Sequence, residues 1–144
     1  MIKKKYILLF IIAIIPNIMN AIAVKNIEIK DTGITVTENP GAGEINACKQ
    51  FIPTKNQLLN FFKLAEEAEY NKWLHEYYSS CISTGSIEFE NGTSGNWVIQ
   101  SSGIASVIMN DGSSANFFYK DNEWDDPNAC TYGLGDEPNP DPGC

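Results

Sequence analysis

At 144 residues with 43% hydrophobic content, the chain is long enough for one packed core. Ten lysines, no arginine and eighteen acids give a formal net charge of −8. A surface of that sign repels phosphate backbones and disfavours nucleic acid as a partner.

The chain begins with a basic stretch containing Lys3, Lys4 and Lys5, runs through an apolar segment from Ile7 to Ile15, and reaches a small-x-small site at Ala21-Ile22-Ala23. This pattern predicts a secretory signal peptide over 1–23, with Val24 as the first mature residue. The apolar run is broken by Pro16, Asn17 and Asn20. It falls short of the ~20 residues that span a bilayer, so no stable membrane insertion is expected after cleavage. No cysteine follows the cleavage site closely, which argues against a lipid anchor. Cleavage removes three of the ten lysines and none of the eighteen acids, leaving seven against eighteen, a net charge of −11. A periplasmic or secreted location follows.

Residues 24–47 read as an N-terminal β arm and linker. Ile27/Ile29 and Ile34/Val36 alternate around Asp31-Thr32-Gly33, as in a hairpin or one bent strand. The breakers from Glu38 to Glu44 then form a loop. The core domain is expected over 48–130. It opens with the clearest local signal in the chain, Pro53-Thr54-x-x-Gln57, in which Thr54 caps a helix and Gln57 completes the capping box. Leu58, Phe61, Phe62, Ala65 and Ala68 follow at helical spacing, which predicts one amphipathic helix over 54–69.

Asn71–Ser80 is an irregular crossing dense in aromatic residues. From 82 to 120, four short runs rich in β-branched and aromatic residues are separated by Asn91-Gly92, Ser101-Ser102-Gly103 and Asp111-Gly112. Asn-Gly and Asp-Gly supply the positive φ angles of tight hairpins, so these runs predict a four-stranded antiparallel meander. Ile87, Phe89, Trp97 and Ile99 fall on one face and Glu88 and Glu90 on the other. The last two runs carry apolar residues on both faces, so the second face is either covered by the arm or tail or meets a partner. Residues 131–144 form a Pro/Gly-rich acidic tail. The expected fold class is therefore α+β: one helix on a four-stranded meander, with an N-terminal β arm and a disulfide-tied C-terminal tail.

An even cysteine count in an exported chain implies two disulfides among Cys48, Cys81, Cys130 and Cys144. Cys81 and Cys130 flank the first and last strands at one end of the sheet. That placement favours Cys81–Cys130 with Cys48–Cys144. Cys48–Cys81 with Cys130–Cys144 is the rival, requiring only local closures. Zinc is excluded by spacing, since the cysteines are far apart and His75 is the only histidine.

No motif carries chemistry. There is no Gly-x-Ser-x-Gly elbow to set a serine beside His75, and no phosphate loop. Glu88 and Glu90 share a strand face and offer a carboxylate pair of the kind glycosidases use. The run Asp121-Asn-Glu-Trp-Asp125-Asp126 has oxygen ligands but departs from a calcium loop, so no cofactor or metal is expected. What survives is a small, acidic, exported body with aromatic residues outside the strands. The leading expectation is a non-enzymatic protein-binding module, of inhibitor or immunity type, that occludes a basic protein partner. Its candidate anchors are Trp73, Tyr77, Tyr78 and Trp124. The alternatives are a small secreted hydrolase or toxin using paired carboxylates, and a structural or adhesin-like surface protein.

Overall fold

One antiparallel sheet organises the molecule, seen here in a computed structural model that describes residues 23–67, 69 and 75–132. The expected signal peptide, Ala68, Trp73 and nearly all of the acidic tail, with Cys144, lie outside the described residues. The elements are β1 (Val24–Thr35), α1 (Ala42–Cys48), α2 (Lys55–Leu64), β2 (Glu66–Glu67), β3 (Cys81–Phe89), β4 (Ser94–Gln100), β5 (Ile104–Met109) and β6 (Ser114–Phe118), followed by a 3₁₀ turn over Ala129–Thr131. The mixed α+β class agrees with the sequence reading.

The sheet has six strands, in the order β1-β3-β4-β5-β6-β2, not the expected four. What read as an N-terminal arm is a twelve-residue edge strand paired along the length of β3. Its register shifts near Val24, Ile29 and Asp31, so the strand bends around a sheet that a straight one would leave. At the opposite edge, Glu66 and Glu67 pair with Phe118 and Phe117. This pairing also ends the helix early: α2 stops at Leu64 rather than 69, because Ala65 turns to an extended conformation (ψ 141°) to deliver the next two residues to β6. Backbone pairing at an open edge has overridden the helix propensity of an Ala-Glu-Glu run.

The predicted cap of α2 is present in full. Gln57 N donates to Thr54 Oγ1 at 3.3 Å, and Thr54 N donates to Gln57 Oε1 at 2.8 Å. The same Gln57 side chain donates to Glu123 O at 2.8 Å and ties the segment after β6 to the helix start.

The hairpin turns repeat one design. Asn91 Oδ1 accepts from the backbone N of Thr93, Asp111 Oδ1 accepts from that of Ser113, and Gly92 and Gly112 take φ of 84° and 87°. Such an Asx turn followed by glycine reverses the chain without strain. It also holds the Asp111 carboxyl below its usual range, through the Ser113 hydroxyl first and the Ser113 N–H second.

Along β3 to β6 the odd-numbered side chains face inward. Ile87, Phe89, Trp97, Ile99, Ala105, Val107 and Phe117 form one core with Ile27 of β1 and with Phe51, Leu58, Phe61 and Phe62 from the helical side. Among the described residues the outer face buries Ile82, Ile104 and Phe118 at one end, while toward the other end Val98 and Ile108 stand exposed.

The expected Cys81–Cys130 bridge is corrected: Cys81 pairs with Cys48, Cα to Cα 4.9 Å. As the first residue of β3, Cys81 is buried on the inner face, where the last residue of α1 meets it. Asn128 Nδ2 does approach Cys81 Sγ, at 3.6 Å, so the later segment returns to this end of the sheet as anticipated. The Cys81 sulfur there is bonded to Cys48. Cys130 is disulfide-bonded too. No helix among the described residues is long and apolar enough to cross a membrane.

Candidate functional site

The end of the sheet at the β4–β5 turn gathers the polar residues that the sequence scatters over fifty positions. Ser101 is the hub. Its Oγ donates to Asp126 Oδ1 at 2.6 Å, its carbonyl accepts from Trp124 Nε1 at 2.8 Å, and its Oγ lies 2.8 Å from Ser79 Oγ. A hydroxyl has one hydrogen, and that of Ser101 goes to the carboxylate, so Ser79 is the donor in the Ser79–Ser101 bond. Ser79 Oγ also accepts from Cys81 N at 3.1 Å and from Asn128 Nδ2 at 2.9 Å. Both of its lone pairs and its hydrogen are thereby committed. Ser79 and Ser101 are fully buried, and neither is arranged as a nucleophile; they pin the 124–128 segment to the sheet.

Two hydroxyls nearby are different. Ser102 Oγ and the Tyr132 hydroxyl are buried and meet no hydrogen-bond partner of good geometry among the described residues. Both line a cleft of about 310 Å³ at this end of the molecule. Its walls are aromatic, from Tyr77, Trp124 and Tyr132, and its polar lining includes Asp121, Asp125 and Asp126 against one amine, Lys120. Tyr77 lies across Phe118 with ring centroids 4.9 Å apart and beside Tyr132 at 5.8 Å. Trp124 packs inward, 5.5 Å from Phe51 and 5.6 Å from Phe61.

Burial pushes the Tyr132 hydroxyl well above the usual tyrosine range; Ser101 offsets part of the rise and the charge of Asp126 adds to it. The folded state therefore holds this proton more tightly than the unfolded chain. Stability that depends on the neutral phenol is complete below the ordinary tyrosine pKa of about 10 and is lost as pH climbs beyond it. Tyr132→Phe should flatten the loss of thermal stability between about pH 10 and 11.5 while leaving the neutral-pH melting temperature unchanged or slightly raised. Melting curves followed by circular dichroism over that range check it. An unaltered alkaline slope would remove Tyr132 as its source.

The proposed anchors divide. Tyr77 and Trp124 meet at this cleft, Tyr77 half-buried and Trp124 only 7% exposed. Tyr78, beside them in sequence, is 53% exposed. Trp73 lies outside the described residues. Ser102 and Tyr132 carried no signal in the sequence beyond a turn and a tail residue, and only folding places them together. No group of three or more His, Cys, Asp or Glu among the described residues is arranged to hold a metal, so the Asp121–Asp126 run forms no such centre.

A second depression, also about 310 Å³, lies on the outer sheet face among Asn26, Glu28, Ser86, Glu88 and Asn96. Its Glu88 is engaged by Lys25 at 2.7 Å. The carboxylate sharing this notch with Glu88 is Glu28 of β1; Glu90 lies in the turn beyond β3 and does not line it. The Glu88/Glu90 pair anticipated for a hydrolase is not gathered into one depression. The chain matches no family model, no curated protein and no solved structure.

Proposed function

We propose that this protein is an exported binding module of inhibitor or immunity type that docks a basic protein partner on the acidic, aromatic end of its sheet. The observation that carries the reading is the cleft between Tyr77, Trp124 and Tyr132, with carboxylates in its lining and a buried Ser102 hydroxyl that has no partner among the described residues. A built, incompletely satisfied polar depression is where a ligand gains most. The acids of the surrounding surface add to it: Glu66 and Glu67 are held on the neighbouring edge, and Glu123 is exposed beside the cleft. Tyr78 supplies an exposed aromatic ring close by in sequence, the residue type that anchors interfaces. A Cys48–Cys81 bridge and a signal-like N-terminus fit an oxidising destination.

The test is a panel of small basic secreted proteins, with acidic ones of matched size as controls, measured for binding across ionic strengths. A basic partner should associate roughly tenfold or more faster at low salt than at physiological salt, as long-range steering is screened. Tyr78→Ala should weaken that complex by about 2 kcal/mol while leaving the melting temperature unchanged. Binding that ignored both charge and salt would sink the reading.

A further inference from the structure

We propose that the cleft at the β4–β5 turn is a socket for one lysine or arginine side chain of the basic partner. This rests on the reading above and adds what the partner inserts. Three features of the cleft define the occupant independently. Its carboxylates, Asp121, Asp125 and Asp126, outnumber the one amine, Lys120, so the occupant is cationic. Its walls are the rings of Tyr77, Trp124 and Tyr132, which suit an alkyl stem and attract a cation over their faces. Ser102, only 2% exposed, carries a hydroxyl with no partner among the described residues, whose lone pairs can accept the hydrogens that an ammonium or guanidinium brings.

A metal ion would leave the aromatic walls without a role, and the acids are not arranged to chelate one. An anion meets the wrong charge. A purely apolar group would gain nothing from the three carboxylates and would leave the Ser102 hydroxyl as unpaired as before. An ammonium or guanidinium on a flexible stem satisfies all three features. Asp126 remains available as charge even though its Oδ1 is occupied by Ser101 and by Asn128 N. Its placement by that saturated network keeps the socket rigid before the partner arrives, which lowers the entropic cost of binding.

The probe is Nα-acetyl-lysine methylamide, titrated into the full mature protein and followed by NMR at the aromatic side chains, beside the uncharged norleucine counterpart. The lysine compound is expected to bind weakly, in roughly the millimolar range, and to shift signals of Tyr77, Trp124 and Tyr132. The norleucine compound should shift them little. The double variant D121N/D125N, at two exposed positions that do not threaten the fold, should weaken lysine binding about three- to fivefold. Ser102→Ala should weaken it without lowering the melting temperature.

Equal binding of norleucine would overturn the cationic assignment, and so would no response to either compound. In both cases the panel of basic proteins still reports on whether a basic partner docks at all, so the two readings fail separately. A lysine compound that binds but does not compete with a bound basic protein would overturn the partner's side chain as occupant. The same holds if it binds while no panel protein does.

Discussion

Replacing Gly85 by alanine is expected to lower the unfolding free energy by about 3 kcal/mol, far more than the same change at Gly92. A Cβ built at Gly85 would lie 1.9 Å from Glu28 O on β1 and 2.5 Å from Trp97 Cζ2 on β4. Neither neighbour can give way cheaply. Trp97 is wholly buried at the centre of the core, and its Nε1 donates to Ser86 O at 3.0 Å. Glu28 O belongs to the edge strand whose register already shifts just beyond Ile29, the residue opposite Gly85. The alanine methyl must either lift β1 off β3 or expel the indole ring from its place. Gly92 has the opposite character: φ is 84°, and nothing lies within 4 Å of a Cβ there. Its substitution costs only the backbone strain of a left-handed alanine, about 1 kcal/mol. Denaturant titrations of both variants check the contrast. Equal effects would show that β1 yields freely at Gly85 and is not part of the cooperative sheet.

The second large effect belongs to the Cys48–Cys81 bridge. It joins residues 33 apart in sequence and ties α1 to the first residue of β3. Closing a loop of that length restricts the unfolded chain by about 4 kcal/mol, so the C48A/C81A variant should lose close to that amount. Neither cysteine is exposed, so alanine also leaves a small void and the loss should not be smaller than the entropic figure. In the intact protein, peptide mapping should recover a 48–81 bridge and thiol titration should find no free cysteine among 48, 81 and 130. A C48A/C81A protein as stable as the parent would mean that the core alone organises α1 against the sheet.

Much of this molecule is written locally and could be read directly. The capping box at Thr54 and Gln57, the hairpin turns at Asn91-Gly92 and Asp111-Gly112, and the inward alternation of Ile87, Phe89, Trp97 and Ile99 depend on residues within a few positions of one another. Each of these signals has a short-range cause: an orphan amide to satisfy, a positive φ to adopt, a pleat of period two.

The features that local sequence does not show are pairings across long sequence distances. Residues 24–35 looked like a separate arm because alternation reveals a strand but not its partner, which here is β3 about fifty positions away. Glu66 and Glu67 looked helical because nothing nearby announces that β6 offers them an open edge. The Cys48–Cys81 bridge was the less favoured of two pairings, since a topological argument about sheet ends does not say which face a sulfur occupies.

The site divides in the same way. Composition and order alone determined an acidic chain with no arginine, aromatic residues outside the strands, and no catalytic motif. Only the tertiary structure decided that Tyr77, Ser102, Trp124 and Tyr132 share one cleft, that Trp124 also packs on Phe51 and Phe61, and that Ser79 is saturated while Ser102 has no partner among the described residues. The physical reason is that hydrogen-bond satisfaction is a property of a place, counted over every atom that arrives there. A serine's sequence neighbours do not say which oxygen will be left waiting.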